Sequence, residues 1–153
     1  MFKILQRVLI GIVVTSLGLS AADMISGTWK LNTGKSKYSP GPGPKSLMVT
    51  YSMEGDWVVT KAQGVSADGK ATSTSNRYKL DGKEYPYKTP VVEGMISLKR
   101  IDDYHVESVV KGGKHMTTAK SVISKDGKTR TMTITGTNAE GKPVNNVVVY
   151  ERQ

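Results

Sequence analysis

The sequence predicts an all-β protein, a single antiparallel up-and-down β-barrel of roughly ten strands preceded by a cleavable signal helix. Three observations lead there. An acidic residue followed by glycine and lysine recurs at Asp68-Gly69-Lys70, Asp81-Gly82-Lys83, Asp126-Gly127-Lys128 and Glu140-Gly141-Lys142, which is hairpin-turn chemistry because glycine takes positive φ without steric cost. Between such marks lie short runs rich in Val, Ile, Thr and Tyr, the residues that fit a pleated surface. No stretch after residue 22 carries a helical apolar period.

Residues 1–22 come first. Lys3 and Arg7 precede the apolar run Val8 to Leu19, and Ser20-Ala21-Ala22 places small residues where a signal peptidase cuts, the pattern of a secretory signal peptide. Gly11, Thr15, Ser16, Gly18 and Ser20 interrupt the run, which falls short of the ~20 apolar residues a membrane span requires. The expectation is an exported chain, periplasmic or extracellular, with residues 23–153 as one domain and no integral membrane segment after cleavage.

Ten strands are expected at 25–31, 46–54, 57–64, 70–80, 83–88, 95–101, 104–111, 114–124, 129–137 and 143–152. Connections of hairpin length make neighbours antiparallel. Closure into a barrel removes the sheet edges that so small a domain must otherwise protect. The turn spacing is too irregular for a repeat protein. The stretch Lys35 to Lys45, with Pro40, Pro42 and Pro44 alternating with glycine, is the longest unstructured segment; it reads either as a lid carrying Tyr38 or as an extended spacer.

Alternation assigns the faces. Leu47, Val49, Tyr51 and Met53 share one side, as do Met132 and Ile134 against Thr131, Thr133 and Thr135. With Gly112-Gly113 as a two-residue turn, Val110 opposes His115, Ser108 opposes Thr117 and Val106 opposes Ala119. Tyr104, Val106, Ser108, Val110 and their partners then face inward, an interior unusually small and hydroxylated, while His105, Glu107, Lys111, Lys114, Thr118 and Lys120 face out.

Composition excludes several functions. The chain contains no cysteine, so thiolate metal sites, thiol nucleophiles, disulfides and a lipid-modified cysteine are excluded together. The formal net charge is +9, but many lysines, such as Lys70, Lys83, Lys125 and Lys142, are spread among turns. With no basic helix or RNA-binding aromatic motif, this reads as a solvated basic surface and not a nucleic-acid site. His105 and His115 fall on opposite faces and cannot share a metal ion; Asp102, Asp103 and His105 meet at a turn, where acidic residues are expected anyway. No nucleophilic triad spacing, phosphate loop or paired carboxylate stands out. The sequence therefore predicts no catalytic residues, no metal and no cofactor, and it carries no sign of oligomeric state.

The two chain ends supply a family resemblance. Gly27-Thr28-Trp29 on the first strand, with Tyr150-Glu151-Arg152 on the last, resembles the calycin superfamily of lipocalins and fatty-acid-binding proteins. The resemblance implies that Trp29 closes one barrel end, that Arg152 packs across its indole, and that Gly27 permits their close approach. Two features depart from the fatty-acid-binding branch. Asn32 to Pro44 cannot form that branch's helix-turn-helix lid at its Pro-Gly end, and Val148-Val149-Tyr150 stands where an Arg-x-Tyr carboxylate grip is expected. Export suits the lipocalin branch better.

The resemblance implies a small amphipathic molecule held inside the barrel. Candidate ligand-facing residues are Tyr51, Trp57, Tyr104 and Tyr150 as large bodies, Arg100 for its alternation with Ile96 and Leu98, and His115 for its inward register. The alternative is a filled barrel, packed around its methionines, that acts as a structural or protein-interaction domain of the cell envelope.

Overall fold

The computed structural model describes residues 24–153; the leader expected over residues 1–22 lies outside them. After a helical turn at Met24 and Ile25, ten strands follow: β1 (Gly27–Leu31), β2 (Ser46–Glu54), β3 (Trp57–Val65), β4 (Ala71–Tyr78), β5 (Asp81–Lys88), β6 (Glu93–Arg100), β7 (His105–Gly112), β8 (His115–Ile123), β9 (Thr129–Thr137) and β10 (Pro143–Arg152). They form one antiparallel sheet in the order β4-β3-β2-β1-β10-β9-β8-β7-β6-β5. The first strand pairs with the last through Trp29 opposite Arg152 and Leu31 opposite Tyr150. The barrel is thus an almost closed meander whose single seam runs between β4 and β5.

The seam corrects one expectation. Asp81-Gly82-Lys83 is not a hairpin turn but the irregular start of β5, where the register shifts between Asp81 and Glu84. The Asp81 carboxylate accepts the Lys83 amide (2.9 Å) and the Tyr85 hydroxyl (2.7 Å), and Gly82 takes a φ of 79°. The Asp-Gly chemistry is spent on a bulge. Across the seam Asn76 replaces a ladder: its Nδ2 donates to the Lys88 carbonyl (2.9 Å) and its Oδ1 accepts the Lys88 amide (2.8 Å).

A second correction concerns the β7–β8 hairpin. Its turn is Gly113-Lys114, so Gly112 opposes His115, Val110 opposes Thr117, and Ser108 opposes Ala119. The register differs by two residues from the expected one, which leaves every side chain on its expected face. Gly113 takes the positive φ of 58°. Gly112 is used differently, for a close approach to the backbone of Glu93.

Strand direction sorts the connections onto two ends. One end gathers the segments around residues 55–56, 79–80, 101–104 and 124–128; the other gathers 32–45, 66–70, 89–92, 113–114 and 138–142. The first is closed by Trp29, which is fully buried and donates from Nε1 to the Ile25 carbonyl (2.8 Å). The Arg152 guanidinium lies 4.3 Å from the Trp29 ring centroid, with Nε donating to the Gly127 carbonyl at 2.7 Å and its terminal nitrogens to the Ser26 and Met24 carbonyls. Gly27 is required here: its φ is 115° and a Cβ would stand 2.8 Å from Arg152 Nη1. Ile25, Val58, Tyr78, Ile96, Leu98, Val106 and Ile123 complete the apolar core above this plug.

At the opposite end the chain from Asn32 to Ser39 extends the first strand's pairing along β10. Asn32 N donates to Val149 O (2.8 Å), Lys37 N to Val147 O (2.7 Å), and Asn145 N to Ser39 O (2.8 Å). The segment read as a lid or spacer is therefore a strap hydrogen-bonded to the barrel wall. Its Tyr38 ring packs under Gly43, where any Cβ would collide with it.

Candidate functional site

Above the closed core the interior is dominated by one residue. Arg130, at the start of β9, is only 5% exposed and opposes Tyr150 on β10 and Ile123 on β8. Alternation explains its direction, since it shares a face with Met132 and Ile134. Its Nε donates to Ser121 Oγ (2.7 Å), and its guanidinium lies 4.9 Å from the Tyr51 ring centroid. Among the described residues no carboxylate pairs with it, although eight ion pairs occur elsewhere on the chain.

Tyrosines surround this cation. Tyr51 comes from β2, Tyr78 from β4, Tyr87 from β5 and Tyr150 from β10, all on the inward face. Burial favours the neutral form of three of them: the hydroxyl of Tyr87 is raised to about 12, and those of Tyr78 and Tyr150 are raised as well. Burial works against the charge on Arg130, but the nearby Tyr51 and Tyr78 oxygens outweigh it and hold its pKa above the ordinary guanidinium value. Arg130 is therefore a buried cation set among tyrosine side chains. The guanidinium is thus held by Ser121 and Tyr51 without an acidic partner among the described residues, and a buried charge without a counter-ion is costly.

The inward residues of the open half stay in contact with solvent. Ala62, Thr72, Thr74, Ser108, Val110, Ile134, Val144 and Asn146 are each half-buried, whereas the outward Ser73, Ser75, Thr133 and Asn145 beside them are exposed. His115 sits on the rim with Nε2 3.1 Å from Thr117 Oγ1, and its burial lowers its pKa below the ordinary histidine value. Tyr38 of the strap is half-buried, burial raises its hydroxyl pKa, and it neighbours Tyr150 electrostatically. A cleft of about 570 Å³ runs along the seam, lined by Asn76 and Tyr87 from the inner face and by Trp57, Arg77 and Lys88 from the outer one.

The expected site residues separate into three groups. Tyr51 and Tyr150 meet around Arg130, with His115 and Tyr38 at the mouth above them. Arg100 and Tyr104 lie at the closed end; Arg100 Nη2 donates to Asp103 (2.9 Å), and Tyr104 lends its carbonyl to the Ile123 amide. Trp57 does not point inward. Val58, Thr60 and Ala62 take the inner face of β3, leaving Trp57 outside with Arg77 at 4.4 Å, Lys79 at 4.8 Å and Tyr85 edge-on at 5.4 Å. The residue that sequence reasoning missed is Arg130, although its parity with Met132 and Ile134 was available. Val148 does occupy the position two before Tyr150, buried against Met132, and the guanidinium opposite Tyr150 is that of Arg130 on β9.

By sequence, no family model and no curated protein matches the chain. Solved structures do resemble it in fold. A Schistosoma mansoni fatty acid binding protein in complex with arachidonic acid superposes with a TM-score of 0.63 at 16% identity, covering 88% of this chain and 99% of that one. The wild-type fluorescent protein UnaG gives 0.58 at 18% identity over 86% and 99%. The zebrafish ileal bile acid-binding protein complexed with cholic acid gives 0.56 at 13% identity over 85% and 99%. At these identities the likeness is one of fold: the chain has a nearly closed ten-stranded antiparallel barrel like that of the fatty acid binding protein.

Proposed function

We propose that this protein is an exported carrier that binds a small amphipathic anion inside its barrel, with the anionic head against Arg130. The observation that carries the reading is Arg130 itself, a buried guanidinium with no acidic partner among the described residues and four tyrosines around it. A carboxylate placed there receives charge-assisted hydrogen bonds in a water-poor setting, where they are strongest. Two neighbours in fold were solved with a carboxylic acid, arachidonic and cholic acid, which supports the same choice of head group. Delivery and release need no chemistry in this reading, so the protein acts without catalysis. The signal-like leader supports export.

The test is displacement of the fluorescent anion 1-anilinonaphthalene-8-sulfonate by a panel of fatty, bile and phenolic acids, using the protein and its Arg130→Met variant. Saturable displacement that weakens at least about tenfold in the variant is expected, since a charged hydrogen-bonded pair contributes that much or more. If no acid displaces the probe, and protein purified from its own host carries no extra mass, the carrier reading fails. The filled structural domain of the envelope would then stand in its place.

A further inference from the structure

The lumen above Arg130 has a lining that says more about the ligand than its head group. Thr72 and Thr74 on β4 and Ser108 on β7 face inward and are half-buried. Their hydroxyls have no hydrogen-bond partner among the described residues, and no fully buried polar side-chain atom there is left unsatisfied. These three inward hydroxyls are therefore in contact with solvent, and in the carrier reading they border the ligand. Thr117 and Asn146 extend the polar lining, the former bonded to His115 and the latter accepting the Ser39 amide (2.8 Å). Between them stand short aliphatic side chains, Ala62, Val110 and Val144, so the wall alternates polar and apolar points.

A plain alkyl chain fits such a wall poorly. It would cover the hydroxyls of Thr72, Thr74 and Ser108 without replacing the hydrogen bonds they make with solvent, and a covered, unbonded hydroxyl is penalised. A body that carries its own hydroxyl groups on an apolar frame meets both kinds of point. The discrimination is asymmetric, because a site built of hydrogen-bonding groups rejects an analogue that lacks the matching hydroxyl more strongly than an apolar site rejects one that adds it. Resting on the anion-carrier reading, we infer that the barrel selects hydroxylated amphipathic carboxylates over unsubstituted ones of the same skeleton, with Thr72, Thr74 and Ser108 as the specificity-determining residues.

Two matched pairs test this: cholate against 5β-cholanate, and 9,10,16-trihydroxypalmitate against palmitate, each titrated into the protein and into the Arg130→Met and Thr72→Val/Thr74→Val/Ser108→Ala variants. The inference expects at least one hydroxylated acid to bind about tenfold or more tightly than its unsubstituted partner, and the triple variant to erase that ratio while keeping its dependence on Arg130. Retention of the native fold by the variant is checked by circular dichroism, and single Thr74→Val and Ser108→Ala variants, each expected to reduce the ratio, replace it if it misfolds. Unsubstituted acids that bind equally or more tightly, still through Arg130, overturn the selectivity and leave the carrier reading standing. Failure of all four acids to bind in an Arg130-dependent way overturns both.

Discussion

At the closed end of the barrel Trp29, Val58, Leu98, Val106 and Ile123 are buried against one another, and the single buried tryptophan is pinned by Arg152 and by its own bond to Ile25. Toward the opposite end β4, β7 and β10 present Thr72, Thr74, Ser108, Val110 and Asn146, all inward and all half-buried. The alternation of side chains is identical in both halves; what changes is side-chain size. Large apolar residues fill the cross-section at one end, and toward the other the inward side chains are smaller, hydroxylated and only half-buried. The large buried apolar side chains thus gather at the closed end, with Arg130 and its tyrosines at their boundary.

That division can be broken from several directions. The largest effect is expected from alkali. Tyr78, Tyr87 and Tyr150 keep their protons in the folded state beyond the ordinary tyrosine value of 10.0, in the case of Tyr87 up to about 12. A raised folded pKa means that their contribution is complete below pH 10 and is lost as pH climbs through the folded value. Ultraviolet tyrosinate absorbance should lag behind that of the free amino acid and then rise together with loss of β-sheet circular dichroism; titration of all tyrosines near pH 10 with the fold intact would refute a buried boundary.

Trp29→Ala should come next, costing about 3–5 kcal/mol in denaturant unfolding because it empties the plug of the closed end. Arg152→Ala should cost less, about 2 kcal/mol, through three backbone carbonyls losing a charged donor and the indole losing its cation. The Asn76→Ala change is expected to be smaller still, about 1 kcal/mol. Its signature is local: faster hydrogen exchange confined to β4 and β5, the two strands that lack a backbone ladder between them. Faster exchange around Trp29 in that variant would show that the seam and the plug are not independent.

How much of this could be read beforehand depended on whether a side chain carried the information. The strands were legible because Val, Ile, Thr and Tyr runs stop at Asp-Gly and Gly-Gly turns, and the inner faces of β2, β7, β8 and β9 followed from alternation. Closure between β1 and β10 was legible through the family resemblance carried by Gly27-Thr28-Trp29 and Tyr150-Glu151-Arg152. The strap was legible as a loop but not as an extension of the first strand's pairing, since its bonds to β10 are mostly backbone to backbone. The seam was hidden because Asp81-Gly82-Lys83 looks like every other turn in the chain. Trp57 reads as an inward body for its size, whereas Val58 beside it claims the inner face. Arg130 was overlooked for a similar reason: it follows Asp126-Gly127-Lys128 closely and resembles one more basic residue flanking a turn.

The most direct measurement is the thermal midpoint of Arg130→Met, taken with and without the tightest-binding acid of the panel. An arginine kept for an anion, and not for the fold, leaves the unliganded variant as stable as the parent or a few degrees more stable, because an unpaired buried charge has been replaced by an apolar side chain of similar length. The upward shift that ligand gives the parent should then be absent from the variant. A variant that melts well below the parent, yet shifts upward with ligand by the same amount, would contradict the account and make Arg130 part of the scaffold.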